Sequence, residues 1–376
     1  MKLAFVGPVH PYRGGIAQFN ARLVSEMSIK DDCLIINFSR LYPDFLFPGK
    51  TQFDKSAIQF GYPAERLIDS INPLSWRKAS HGLKSWKPDA VIFHYWHPFF
   101  IPAYTSIARS IGADIPRVAI CHNITPHEGT AFQKILTRYL LSNIDGFMVH
   151  AKSEGVDLLR LKSTAIFKSA FHPLYDNFPG QDISRKDARY KLNIEPNCKL
   201  ALYFGLIRPY KGVDLFFEAS KHLLDIPDLK MLAVGEVYGG KSILENQIKS
   251  LAQVRAEFID RYIPNEEVSL YFRASDLVVL PYRSATQSGV VPIAYACNRP
   301  VVVTDVGGLS EVVSDGESGY IVPPNDVLAI AGAIRKFFNL QNSNDFNVGL
   351  ADMRKKLSWS RYGELLRELI TEVRKP

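Results

Sequence analysis

Two glycine-containing loops, each directly after a short apolar run, carry residue types suited to phosphate chemistry. In the first, Phe5-Val6-Gly7 leads through Pro8-Val9-His10-Pro11-Tyr12-Arg13 to Gly14-Gly15-Ile16. Paired glycines let backbone amides approach a phosphate, and the amino end of a following helix adds donors and a positive dipole. The spacing is neither GxGxxG nor a P-loop, and an isolated glycine pair serves equally well as a plain strand-to-helix turn. The second loop, Phe204-Gly205-Leu206-Ile207-Arg208-Pro209-Tyr210-Lys211-Gly212, repeats the arrangement with two cations added. Arg208 offers a planar fork for phosphate oxygens and Lys211 a compact point charge, the pair needed to stabilise a departing diphosphate. Their place just after a buried strand favours a ligand over two solvated surface cations.

Four histidines, His94, His97, His122 and His127, fall near the ends of expected strands, where a general base or a metal ligand would sit. Carboxylates at ligand spacing are few nearby and no DxD occurs, so no metal site is expected. His97 and His127 read as polar loop residues. His94 ends a strand and is the candidate for chemistry.

The elements that must position these residues alternate. Apolar runs at 3–6, 33–38, 90–94 and 117–121 are interleaved with helical patterns at about 16–27 and 104–110. A second series, with strands at 200–204, 230–234, 256–259, 277–280 and 300–304, starts after the proline-containing stretch 172–180. Alternation of this kind predicts parallel sheets with crossover helices. The expected fold is therefore α/β, with two doubly wound Rossmann-like domains at 1–175 and 176–359. Ligands of such domains bind at the carboxyl ends of the strands, so two of them facing across a cleft would make an active site. The final stretch, 360–376, has Leu365, Leu366, Leu369 and Ile370 at helical spacing and is expected to pack back on the first domain.

A length of 376 residues exceeds what one core normally serves, which agrees with two domains. No run approaches the ~18 apolar residues of a membrane span, and Met1–Pro8 reads as a strand, not a signal peptide. A cytoplasmic protein is expected. Cys33, Cys121, Cys198 and Cys297 form no ligand or disulfide spacing. The net charge of +7 is uneven: residues 1–175 hold 20 Lys+Arg against 13 Asp+Glu, and the remainder 25 against 25. Such an excess suits an anionic partner or is simply a solvated face. Residues 131–141, AFQKILTRYLL, mix two cations with an apolar stripe, the pattern of a membrane-surface helix and equally of an interior helix.

The second half resembles the family-4 retaining glycosyltransferases of GT-B type (glycosyl transferase group 1). The likeness is carried by RPYKGVDLFFEA, YIPNEEVSLYFRASDLVVLPY and PVVVTDVGGLSEVVSDGESGYIVPP, with looser agreement at Gly14-Gly15 and at KPDAVIFH, residues 87–94. The resemblance implies transfer of a sugar from a nucleotide sugar to an acceptor hydroxyl with retention, without metal or other cofactor. Whether the donor is UDP- or GDP-linked stays open. It implies that the amides of Gly14 and Gly15, with Arg208 and Lys211, hold the donor diphosphate and that His94 lies near the donor sugar. It also implies that the segment Gln287, Ser288, Gly289 and Val290 wraps the sugar and phosphates, with Glu311 near the base and sugar pocket. The two glutamates usual in the family fall at Ala285 and Ile293 here, Leu206 takes the place of an arginine, and Asn298 that of a glycine. Gln287 and Ser288 would then supply neutral hydrogen bonds instead. A glycan or lipid-linked acceptor follows, with contact to the inner face of an anionic membrane as a further expectation and no nucleic-acid partner. The alternatives are a sugar-nucleotide epimerase and a non-catalytic nucleotide-sugar-binding protein.

Overall fold

The structure, a computed structural model, describes residues 1–46, 51–54, 64–124, 131–176, 178–238, 244, 246, 255–285, 287–339 and 345–374. The chain divides into two units, Met1–Phe171 with Trp359–Pro376, and His172–Ser358.

The first unit is built on a seven-stranded sheet of β1 (Lys2–Val6), β2 (Asp32–Arg40), β3 (Ala64–Asp69), β4 (Ala90–Tyr95), β5 (Arg117–Cys121), β6 (Gly146–Val149) and β7 (Ile166–Ser169). The order is β3-β2-β1-β4-β5-β6-β7 and every pairing is parallel. Central strands of such a sheet are covered on both faces and so read as unbroken apolar runs, as β1 and β4 do. Helices α1 (Gly15–Met27), α2 (Pro73–Trp86), α3 (Ile101–Ser110), α4 (Ala131–Leu141) and α5 (Lys152–Leu161) connect them. On one face Phe38, Phe93 and Tyr95 pack with Tyr104 and Ile107 of α3. On the other, Phe19, Leu23 and Met27 of α1 and Leu366, Leu369 and Val373 of the chain's last helix, α12 (Trp359–Val373), cover Leu3, Phe5 and Ile120. Gly146 makes room for that last helix, since a Cβ there would stand 2.9 Å from Val373 Cγ1.

The second unit holds a six-stranded sheet of β8 (Lys199–Phe204), β9 (Leu229–Val234), β10 (Arg255–Ile259), β11 (Leu277–Leu280), β12 (Val301–Thr304) and β13 (Gly319–Val322), in the order β10-β9-β8-β11-β12-β13 and again all parallel. Its helices are α6 (Arg185–Lys191), α7 (Val213–Ser220), α8 (Asn265–Ala274), α9 (Val290–Ala296), α10 (Val327–Asn339) and α11 (Asp345–Lys356). Arg189 anchors α6 from a fully buried position by donating to the carbonyls of Ala274, Pro196 and Cys198 and pairing with Asp276.

Both sheets are doubly wound, as the alternation of elements predicts. The strand order reverses between β1 and β4 in the first unit and between β8 and β11 in the second. The crevice outside the carboxyl ends at such a reversal is where ligands of open α/β sheets bind. Strands β3, β6, β7 and β13 are additions to the sequence-based expectation. Among the described residues no helix is long and apolar enough to cross a membrane.

Candidate functional site

In the second unit, β8 runs into Gly205 at φ 117°, a backbone conformation that suits glycine. The chain then passes Arg208 and a single 3₁₀ turn, Pro209–Lys211, before Gly212 at φ 65° opens α7. A Cβ at Gly212 would lie 2.0 Å from the carbonyl oxygen of Pro281, so this loop is pressed against the end of β11. Arg283 braces it, its guanidinium donating to both carboxylate oxygens of Asp214 and to the carbonyl of Pro209 at 2.8 Å, while its backbone N–H donates to Tyr210 O at 2.7 Å.

The braced loop delivers Lys211 to the strand reversal. Its Nζ sits 5.3 Å above the Tyr282 ring and 3.8 Å from where a Gly205 Cβ would be. The ammonium thus faces a ring and a bare glycine, with Arg208 as the neighbouring cation. Burial pulls its pKa below the ordinary lysine value and the charge of Arg208 adds to the fall, against an opposing pull from Tyr210. A dianionic ligand would relieve both effects.

The segment on the far side of the crevice closes the cluster. Ser288 Oγ lies 3.4 Å from Tyr282 Oη and accepts from the N–H of Val290 at 3.2 Å, and Val290 Cγ2 is 3.6 Å from the Cβ position of Gly205. Gly289 admits the Tyr175 ring, whose Cε2 would be 3.2 Å from an added Cβ. Gly205, Lys211, Tyr282, Ser288 and Val290 are therefore one group, with Gln287 half-buried on the same loop. The N–H of Val290 is already engaged by Ser288. Glu311 lies on a separate segment after β12, in the 3₁₀ turn Ser310–Val312 behind Gly307 at φ 52°. Ile293, where the resemblance places a glutamate, is buried in α9. Asn298 takes φ 58°, the left-handed conformation that asparagine tolerates best among residues with a side chain, which explains how it stands in for glycine.

The corresponding place in the first unit is filled differently. Gly14 (φ 112°) precedes α1, and a Cβ there would meet nothing within 4 Å, so the backbone beside it is open. His94, at the end of β4, is fully buried; Gly7 permits this, since a Cβ at Gly7 would stand 2.9 Å from His94 Cβ. Burial pulls the pKa of His94 down to about 3, so its ring is neutral at ordinary pH. His94 Nδ1 shares a hydrogen bond of 3.0 Å with Nε2 of His122, which is only half-buried.

The pair continues into a column. His94 stacks on His122 at 5.4 Å, His122 on His150 at 5.2 Å and His150 on Tyr362 at 5.7 Å, while Phe19 sets its edge against all three imidazoles. Sequence reasoning missed His150 although the signal was present: β4, β5 and β6 each end an apolar run with histidine, IFH, ICH and MVH. His97 caps the turn Pro98–Phe100 by accepting from the N–H of Phe99, and His127 lies outside the described residues. Among the described residues, no group of three His, Cys, Asp or Glu side chains could hold a metal ion.

Two doubly wound units, each with its ligand crevice at the strand reversal, define the GT-B architecture. Solved structures agree on this fold: the Anabaena HepE protein in complex with UDP superposes with a TM-score of 0.76 at 18% identity, covering 99% of this chain and 100% of that one. Sucrose-phosphate synthase from Thermosynechococcus elongatus gives 0.72 at 18% identity, over 99% of each chain. Residues 198–339 match the family model Glycosyl transferases group 1, and the second unit is a domain of that family. A D-inositol 3-phosphate glycosyltransferase of Streptomyces bingchenggensis is 34% identical over 223 residues, 56% of this chain and 48% of the relative. The putative teichuronic acid biosynthesis glycosyltransferase TuaC of Bacillus subtilis is 28% identical over 299 residues, 74% of this chain and 72% of the relative. The alignments span between 48% and 64% of the first three curated relatives' own length.

Proposed function

We propose that the protein is a retaining glycosyltransferase of family 4 that moves a sugar from a nucleotide-diphosphate sugar to a hydroxyl of a glycan or lipid-linked acceptor. The observation that carries this reading is Lys211, a half-buried ammonium held at the strand reversal of a group 1 domain beside Gly205 and Arg208. The departing diphosphate gathers negative charge as the glycosidic bond breaks. Half-buried Lys211, with exposed Arg208 as the neighbouring cation, stabilises that charge and takes the part a divalent metal plays elsewhere. The UDP in the Anabaena complex makes UDP-sugars the first donors to test.

Gly205, Arg208, Lys211, Ser288 and Gly289 are assigned to the donor diphosphate and sugar, with Gln287 beside them. Val290 contributes through its packing on Gly205, because its N–H is given to Ser288. Glu311 is assigned to the base and sugar end of the donor. The open backbone at Gly14 supports an amide contact from the first unit, and Gly15 is assigned beside it on the family resemblance. His94 is sealed from solvent, so its assignment is a positioning one: it orients His122, the half-buried member of the pair. The acceptor side is assigned to the first unit. Contact with the inner face of an anionic membrane is supported by α4, where Ile135 (62% exposed) and Tyr139 (48%) stand beside exposed Lys134 and Arg138.

The test is incubation with UDP- and GDP-sugars, following release of free nucleoside diphosphate and the anomeric configuration of the product. Turnover in the wild type and a fall of at least about a hundredfold in Lys211→Ala are expected. A near-normal rate in that variant, or an isomerised but intact donor, contradicts the reading.

A further inference from the structure

The second unit carries a carboxylate that the donor assignment leaves unused. Beyond their strand ends, β8 and β9 stay paired: Ile207 N–H donates to Glu236 O and Tyr238 N–H to Ile207 O, both at 2.9 Å. A Cβ on Gly235 would lie 1.9 Å from the carbonyl oxygen of Gly205, so two bare backbones touch at the point where the strands leave the sheet. Glu236 follows directly, 9% exposed, and its Oε2 accepts from Tyr238 Oη at 3.2 Å. Arg208 covers the other side of that tyrosine, with its guanidinium carbon 5.3 Å from the ring centre. Asp260, at the end of β10, fixes the segment by accepting from Val237 N–H at 3.0 Å. The result is a fixed order along one edge of the sheet: Lys211 and Arg208 at the end of β8, then the glycine contact, then Glu236 one strand further from the reversal.

That order matches the size and polarity of a nucleoside diphosphate. In dinucleotide-binding doubly wound sheets, the loop after the first strand takes the phosphates and an acidic residue further along the chain takes the ribose hydroxyls, an arrangement that the placement of Glu236 parallels. Here β8 is the first strand and β9 its neighbour on the side away from the reversal, with adjacent strands about 4.8 Å apart. A diphosphate held at Lys211 and Arg208 extends its ribose past the backbone contact of Gly205 with Gly235 toward the carboxylate. A buried carboxylate held by a tyrosine is a strong acceptor for a vicinal diol and is repelled by a phosphate.

We propose that Glu236 is the ribose-binding residue of the donor site and makes the protein selective for ribonucleotides over deoxyribonucleotides. This rests on the assignment of the donor diphosphate to Lys211 and Arg208.

The experiment is calorimetric titration of the wild type, Glu236→Gln, Glu236→Ala and Lys211→Ala with UDP, 2′-deoxy-UDP and inorganic pyrophosphate, with GDP and its deoxy form as a second pair. The wild type should bind the ribonucleotide about ten- to a hundredfold more tightly than the deoxy form. Glu236→Ala should lose most of that ratio, Glu236→Gln should keep an intermediate ratio, and both should bind pyrophosphate as the wild type does. Far-ultraviolet circular dichroism identifies a variant that has lost its fold, and Glu236→Gln, which keeps the shape of the side chain, then decides the matter. Lys211-dependent UDP binding with the full ratio retained in Glu236→Gln and Glu236→Ala overturns the role of Glu236 and leaves the diphosphate site standing. Failure of the wild type to bind any of the diphosphates removes both.

Discussion

The two strand reversals of this molecule share a scaffold and differ in almost everything built on it. Each follows a central strand that ends in glycine, Gly7 after β1 and Gly205 after β8, and each faces the end of a strand that crosses over from the other direction. In the second unit Gly205 is flanked by Lys211 and Val290, with Arg208 as the neighbouring cation. In the first the corresponding place is filled by an aromatic column of His94, His122 and His150, edged by Phe19, in which burial keeps His94 neutral. One winding thus supports a cationic ligand site and an aromatic one, and the chemistry is set by the few side chains delivered to the crevice.

The largest expected effect in testing this contrast concerns the glycines. In the second unit, Gly235→Ala forces a Cβ to 1.9 Å from the backbone of Gly205, so β8 and β9 must part. The variant should lose at least about 2 kcal/mol of stability in that unit. In the first unit, Gly14→Ala adds only the strain of a φ of 112° in open space, about 1 kcal/mol. Thermal unfolding followed by circular dichroism orders the two; equal losses would mean that the glycine contact is not structural.

A second test uses the buried His94 of that column. His94 has a folded pKa of about 3 against an ordinary 6.5. Above pH 6.5 both folded and unfolded forms of this residue are neutral; below it the unfolded chain takes up a proton that the folded state refuses. Stability should therefore fall as pH drops from 6.5 toward 3, by about 1.4 kcal/mol per pH unit from this residue alone. All four tryptophans, Trp76, Trp86, Trp96 and Trp359, belong to the first unit, so their fluorescence in urea titrations reports that unit. His94→Phe should show a shallower pH slope, and an unchanged slope would contradict the sealed, neutral imidazole.

The smallest effect concerns charge, which is also unequal between the units. Lys134 and Arg138 flank exposed Ile135 and Tyr139 on α4. Replacing both cations by alanine should weaken binding to vesicles of anionic phospholipid several-fold, with little change on neutral vesicles. Equal binding of variant and wild type to anionic vesicles would leave α4 a solvated helix.

How much of this the sequence discloses follows from burial. Strands β1, β4, β8 and β11 are continuous apolar runs because both faces are covered, and they are legible as such. The edge strands β3 and β7 are half-exposed, AERLID and IFKS, and carry no such signal; β6 and β13 are four-residue runs that open on glycine, GFMV and GYIV, which weakens the strand pattern. In the donor site, Arg208 and Lys211 announce themselves by following a strand-end glycine. Glu236 does not, because its meaning depends on β9 lying beside β8, which is a matter of topology. His94 stands out as a strand-end residue, yet only the fold reveals that it is sealed and paired with the half-buried His122.

The central claim is that the ligand crevice of the second unit, not that of the first, takes the nucleoside diphosphate. Hydrogen–deuterium exchange with and without saturating UDP, repeated with GDP, tests it most directly. The account expects slowed exchange at residues 204–212 and 235–238; protection confined to residues 7–15 and 94–95 would contradict it.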